Sequence, residues 1–312
     1  MTANPVLQWL NDGELELPAP GSGGTGLRWE TLAALTERDV VAGRLAEAHT
    51  DAIAILAELD ASPPDGKHLW GVWAAEAPTS VLKAAGHGDR VRLSGVKAWC
   101  SGAGVCSHAL VTALRPDDTR GLYAVDLEVA EVTPLASDWH HPGMATSDTR
   151  SVRFDGAEAV AVGAPGRYLT RPGFWHGAIG VAACWIGGAR AVAAPLYRAV
   201  GDANGRSALD EHAHAHLGAV DAALAAAEAV LWQAAARIDA RPGDDAELIA
   251  RRVRAVAESA VEAAISRTGR ALGPGPLVSD AVHAKRVLDL GMYVRQSHAE
   301  RDLAALGRAA AR

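Results

Sequence analysis

Cysteine is scarce in this sequence: only Cys100, Cys106 and Cys184 occur in 312 residues. Three irregularly spaced cysteines exclude a disulfide framework, and a reducing cytoplasm is the expected compartment. Cys100 and Cys106 have no second ligand pair nearby, which argues against a zinc site. The amino terminus, MTANPVLQWLNDG, lacks a basic stretch followed by an apolar core, so no secretion signal is expected. No apolar run reads as long enough to span a bilayer. Positive charge is also in deficit. A net charge of −7 favours solubility and argues against binding a nucleic-acid backbone.

What is present is an alanine-rich globular chain, 49% hydrophobic and 21% charged. It is long enough for two or three structural units and a large core, and alanine is the best helix former. Residues 1–26 are rich in Pro and Gly, and the run Pro18–Gly26 reads as a linker or mobile loop. Leu32, Leu35, Val40, Val41, Leu45, His49, Ile53, Leu56 and Leu59 then recur at roughly helical spacing. Asp60-Ala-Ser-Pro-Pro-Asp-Gly66 ends that pattern, because consecutive prolines cannot continue a helix. One or two helices are therefore expected before residue 67.

From Leu69 the texture changes to short strands between turns. The expected strands are Leu69–Ala75, Ser80–Ala85, Asp89–Leu93, Val96–Cys100, His108–Leu114, Gly121–Leu127 and Thr149–Phe154. Gly86–Asp89 and Arg115–Asp118 carry hairpin-type turn chemistry. After Pro172 the chain turns helical and stays so, over Phe174–Val200, His212–Ile238, Asp244–Leu272 and Asp280–Leu306. Four long helices with short loops read as a four-helix bundle. The expected fold is α+β in three parts: a short helical amino-terminal segment at 1–66, a small antiparallel β-domain at 67–165, and a carboxy-terminal four-helix bundle at 166–312.

The most informative stretch is Leu93-Ser-Gly-Val-Lys-Ala-Trp-Cys-Ser101, followed by Gly102-Ala-Gly104. It brings a large flat indole and a small hydroxyl to the tip of a strand, where a flat aromatic ligand could stack and take one hydrogen bond. A second segment, Pro142-Gly-Met-Ala-Thr-Ser-Asp-Thr-Arg150 and then Ser-Val-Arg-Phe-Asp155, follows at a suitable distance. Together with Val162–Arg190 and Tyr293–Gly307, these segments resemble the acyl-CoA dehydrogenase superfamily over roughly residues 40–307. The resemblance implies an FAD enzyme in which Trp99 lies against the flavin ring and Ser101 hydrogen-bonds it. It places Thr149 of the second segment beside the cofactor too. Ala75-Glu-Ala-Pro-Thr-Ser-Val81 stands where the family reads T-E-P-x-x-G-S-D. That implies Ala75 and Glu76 at the cofactor and Thr79 or Ser80 at the acyl thioester.

The same resemblance locates several departures. Gly269–Pro276 is a reduced counterpart of a cofactor-binding Q-x-x-G-G-x-G segment and puts Gly273 at the cofactor. Tyr197–Arg206 keeps Arg198 and Arg206 but no Phe-Gly of the R-x-x-F-G segment. Thioester dehydrogenation needs a carboxylate that takes the proton α to the carbonyl. The family's position for it falls near Ser297-His298, so the candidates are Glu300, His298, or no base in this chain. The implied function is acyl-thioester oxidation with hydride transfer to FAD. The alternatives are a half-site subunit of a heteromer and a flavin monooxygenase of the same fold. A homo-dimer or tetramer is implied, or a heteromer with a second such chain. His212, His214 and His216 put only two imidazoles on one helix face, so no metal is expected. Arg251, Arg252 and Arg254 read as the wet face of a helix.

Overall fold

A computed structural model describes residues 4–78, 80–86, 88–201 and 210–311. Thr79 and Arg206 therefore lie outside the described residues. The chain divides into two compact units.

The first unit comprises residues 1–17, 45–141 and 145–174. Its seven strands are β1 (Trp70–Trp73), β2 (Leu82–Ala85), β3 (Arg90–Cys100), β4 (His108–Leu114), β5 (Arg120–Asp126), β6 (Val132–Pro134) and β7 (Arg150–Ala161). The hydrogen-bonding order β4–β2–β3–β7–β5 returns to β4, so five strands close on themselves. β1 adds to β4 and β6 adds to β7, which leaves little open edge. Most pairings are antiparallel, as expected. Two are parallel: β1 with β4, and a single bridge between β2 and β4 at Lys83–Leu114. Alternation along one strand cannot reveal the direction of its neighbour.

β4 explains the packing. Ala109 and Val111 point into the barrel with Leu93, Tyr123 and Phe154. Leu110 points the other way, against Ile55 and Leu56 of α3 (Val40–Glu58). A strand covered on both faces reads as a continuous apolar run, and His108–Leu114 does. A short helix precedes the expected linker at Pro18–Gly26. α1 (Pro5–Asn11) starts at residue 5, with the Asn4 side chain accepting from the Val6 N–H at 3.2 Å.

The second unit comprises residues 18–44, 142–144 and 175–312. α2 (Thr25–Arg38) belongs to it, beside α5 (Gly173–Gly201), α6 (Glu211–Ala240) and α7 (Glu247–Leu272). The Pro/Gly run is tied down where it enters α2. Asp239 of α6 accepts from Gly23 N, Thr25 N and Thr25 Oγ1 at 3.0, 3.1 and 2.5 Å. Arg190 of α5 bridges Glu30 of α2 and Glu228 of α6, each at 2.8 Å. The expected fourth helix, Asp280–Leu306, is preceded by a short α8 (Gly275–Ser279) and is itself broken into α9 (Ala281–Tyr293) and α10 (Glu300–Ala310), with a 3₁₀ turn at Val294–Gln296. α4 (Arg167–Thr170) is a single turn of the first unit.

α5 and α6 are long and apolar enough, by length and composition, to cross a bilayer, which corrects the expectation that no run is. Most of the α5 window is buried in the protein, as a core helix is, and alanine carries the α6 value. Arg251 and Arg254 also differ from expectation. Their guanidinium groups lie over the Trp175 and Trp185 rings at 4.8 and 4.6 Å.

α5 meets α2 across bare backbone. A Cβ built on Gly187 would sit 2.0 Å from the Ala33 carbonyl oxygen. Gly187→Ala should therefore lower stability by about 1–3 kcal/mol in urea titration, because backbone must move to admit one methyl. An unchanged midpoint would show that α2 yields freely.

Candidate functional site

β3 is read by its partner β7 with one residue too many. Lys97 faces Val152 and Cys100 faces Arg150, so three steps on β3 match two on β7. This is a β-bulge, a device that re-aims a side chain. Its consequence is visible at Trp99, which has φ +61° and is 60% exposed. On either side Lys97 and Cys100 are buried. A bulky residue in left-handed backbone is strained by roughly 1–2 kcal/mol. An exposed indole does not recover that cost by packing.

Immediately after the bulge, the turn at 101–104 is clamped to the loop before β7. Gly102 N donates to Ser147 O at 2.7 Å and Ala103 N to Asp148 O at 3.2 Å. Gly104 N donates to Asp148 Oδ2 at 2.8 Å. These three amides are consumed within the protein, so the glycine-rich turn serves as a buckle rather than as an open row of donors. The clamp brings three hydroxyls into a chain: Ser101 Oγ lies 3.0 Å from Thr149 Oγ1, which lies 2.8 Å from Ser147 Oγ. The Ser101 carbonyl accepts from Trp73 Nε1 at 3.0 Å. Trp99, Ser101 and Thr149 thus form one feature, a free aromatic face with a supported hydroxyl pair beside it. Ser147, buried in the loop, is the member that reading the sequence missed.

Ala75 is exposed just after β1, and Ser80 closes a tight turn on Ala77, its N–H donating to Ala77 O at 3.2 Å. Glu76 is already engaged. It accepts from Thr112 Oγ1 at 2.8 Å and from Lys97 Nζ at 3.2 Å, and its Oε1 pairs with Arg120 Nε at 3.1 Å. Lys97 Nζ also donates to Thr112 O at 3.0 Å and Oγ1 at 2.8 Å. Burial pushes the Lys97 ammonium below its ordinary value, opposed by the charge of Glu76. Burial raises Glu76, but hydrogen bonds from Arg120 and Thr112 and the Lys97 charge outweigh it and hold the carboxyl below its usual range. Burial also lifts the Cys100 thiol far above its ordinary value, so this cysteine is no nucleophile.

The remaining candidates lie in the second unit. Gly273 is the C-cap of α7, with φ +66° and nothing within 4 Å of where a Cβ would sit, so it contributes backbone only. His298 is well exposed and its N–H donates to Asp302 Oδ2 at 3.1 Å. Glu300 is exposed in the first turn of α10. Both side chains face solvent. Ser297 instead donates to Glu258 Oε2 of α7 at 2.5 Å. No local pattern marks Glu258, because its partner is 39 residues away. Among the described residues, no cluster of three His, Cys, Asp or Glu is placed to hold a metal ion.

No protein-family model and no curated protein matches the sequence. Solved structures do. KijD3 in complex with FMN and a dTDP-amino-keto sugar aligns over 100% of this chain and 86% of its own, with a TM-score of 0.81 at 17% identity. Butyryl-CoA dehydrogenase from Megasphaera elsdenii aligns over 90% and 81%, with 0.78 at 15%. Dibenzothiophene monooxygenase TdsC from Paenibacillus sp. A11-2 aligns over 91% and 82%, with 0.77 at 19%. The chain has the acyl-CoA dehydrogenase fold. At these identities the likeness speaks for architecture: helices, a small β-barrel and a helical carboxy-terminal part.

The site yields two expectations. Trp99→Gly should leave stability unchanged or raise it by about 1 kcal/mol, because glycine relieves the left-handed strain; a marked fall in the thermal midpoint would make Trp99 a structural residue. Glu76→Gln tests the support beneath it. A carboxyl depressed on folding adds stability above its unfolded value of 4.5 and loses it as pH falls through the folded value. The wild type should exceed the variant by about 1–3 kcal/mol near pH 7, discounted for the half-exposed carboxylate, with the gap closing below pH 4.5. A gap constant from pH 7 to 3 would contradict the assigned pairing.

Proposed function

We propose that this protein is a flavin-dependent oxidoreductase whose flavin ring stacks on Trp99 and takes a hydrogen bond from Ser101, with Thr149 and Ser147 orienting that hydroxyl. The observation that carries the reading is Trp99 itself, an exposed indole held in strained backbone beside a pair of hydroxyls. Strain of this kind persists where the surroundings enforce it and a ligand uses it. The ring-facing residues fit the group. FAD is the proposed form, on the resemblance in sequence; FMN is the alternative, since KijD3 carries FMN. A bound flavin supplies a ring that accepts or delivers electrons in pairs.

What the chain's own residues do divides by unit. Trp99 and Ser101 bind and orient. Lys97 and Glu76 hold the strand that presents them. In the second unit, the Glu258 carboxylate accepts from Ser297 Oγ at the break before α10. The first reading is dehydrogenation, which needs a carboxylate to take the proton α to the carbonyl. That reading takes an acyl thioester as substrate. Monooxygenation is the second reading, favoured by the solvated positions of His298 and Glu300; TdsC, of the same fold, is a monooxygenase. Assembly as a homo-oligomer or with a second chain of this fold, in the cytoplasm, completes the proposal.

Reconstitution tests it. The purified chain should turn yellow with FAD or FMN, and Trp99→Ala should weaken binding about tenfold, the effect of losing one stacked aromatic. If the chain is a dehydrogenase, anaerobic acyl-CoA should bleach the flavin. Bleaching only by external reductant, followed by substrate-dependent oxygen uptake, would select monooxygenation. A chain that binds neither flavin would end the proposal.

A further inference from the structure

A second ligand-sized feature lies in the first unit, away from Trp99. It is a cleft of about 480 Å³, within the range of roughly 300–1,000 Å³ typical of small-molecule sites. Asp89, at its rim, precedes the first residue of β3, whereas Trp99 is near the last. At about 3.3 Å per residue the two ends of this strand are on the order of 30 Å apart.

The wall of the cleft is largely bare backbone. Gly86, Gly88 and Gly163 line it with φ of +143°, +72° and +67°, and nothing lies within 4 Å of where a Cβ on Gly88 would sit. Glycines at such angles let a ligand approach main-chain groups closely. Arg115 and Asp89 supply the chemistry. Arg115, at the end of β4, keeps only a third of its side chain exposed, and its Nε is shielded from solvent without a well-aligned acceptor. The Asp117 carboxylate stands 3.5 Å from that Nε, a loose pairing. The guanidinium also reaches the hydroxyl of Tyr123, whose ring is buried. Gly121 makes this possible: a Cβ there would lie 2.4 Å from the Tyr123 hydroxyl oxygen.

We propose that this cleft binds a small phosphate monoester bearing hydroxyl groups, its oxyanion on Arg115 and a hydroxyl donating to Asp89. A rigid guanidinium fork suits a phosphate. A single cation next to two carboxylates does not suit a polyanion, so the class is a monophosphate rather than a di- or triphosphate. Arg115 is anchored by a buried tyrosine rather than waving from the surface, which limits the entropy lost on binding.

Isothermal titration of the flavin-saturated protein tests this with AMP, ATP, inorganic phosphate and adenosine. Expected is binding of AMP, weaker binding of inorganic phosphate and ATP, and none of adenosine. Arg115→Gln should weaken AMP binding about tenfold or more, the loss of one charge-assisted contact. Asp89→Asn should weaken AMP but leave inorganic phosphate unchanged. If Arg115→Gln fails to fold, the Tyr123 ring resonances of the wild type, which should shift on adding AMP, give the same answer. No AMP binding at millimolar concentration, affinity unaltered in Arg115→Gln, or unmoved Tyr123 resonances would each overturn the assignment.

Discussion

One extra residue in β3 governs the molecule's most distinctive surface. Between Lys97 and Cys100 the strand gains a step on its partner, so two side chains point inward and the indole between them is turned out. Without the bulge, simple alternation would place Lys97 and Trp99 on the same face. The buried ammonium beneath depends on the same arrangement, for Lys97 finds Glu76 and Thr112 only when the strand is seated in this register. The turn that follows is fastened by three backbone amides to the loop before β7. Bulge, ion pair and clamp therefore form one mechanical unit, and the hydroxyl chain at Ser101, Thr149 and Ser147 is its product.

Much of this was legible in the sequence, and the exceptions have physical causes. His108–Leu114 and the three long helices were readable because apolar periodicity is a local property. Gly95 misled: it reads as a turn and splits β3 in two, whereas the strand runs through it with φ +122°. Its role is close approach, since a Cβ there would lie 2.3 Å from the Val81 carbonyl oxygen. A glycine read alone does not say which of these it serves. The break at Ser297 was invisible because no proline or glycine marks it; the hydroxyl leaves the helical path for Glu258 on another helix. The placement of α2 in the second unit was equally hidden, because it depends on the missing side chain at Gly187.

The candidate site separates the same way. Trp99, Ser101 and Thr149 were found as motif residues, and they are grouped in space. Glu76 was found as a motif residue too, yet its oxygens are occupied by Lys97, Thr112 and Arg120. Sequence position identified it; only geometry distinguishes a group that supports a strand from one that meets a ligand. Glu300 and His298 show the limit of counting along a helix. The count presumes an unbroken fourth helix, and the 3₁₀ turn at Val294–Gln296 ends it before they are reached.

The left-handed conformation at Trp99 has an evolutionary corollary. Most positions in a protein are guarded by stability, so substitutions there are purged whether or not the protein still works. Position 99 has no such guard, because glycine, asparagine or aspartate would occupy that backbone more comfortably than tryptophan. Neutral drift in a lineage that had stopped using this surface would erase the indole early. Residue 99 is therefore a gauge of use rather than of folding: across related chains, loss of the tryptophan should leave the fold intact.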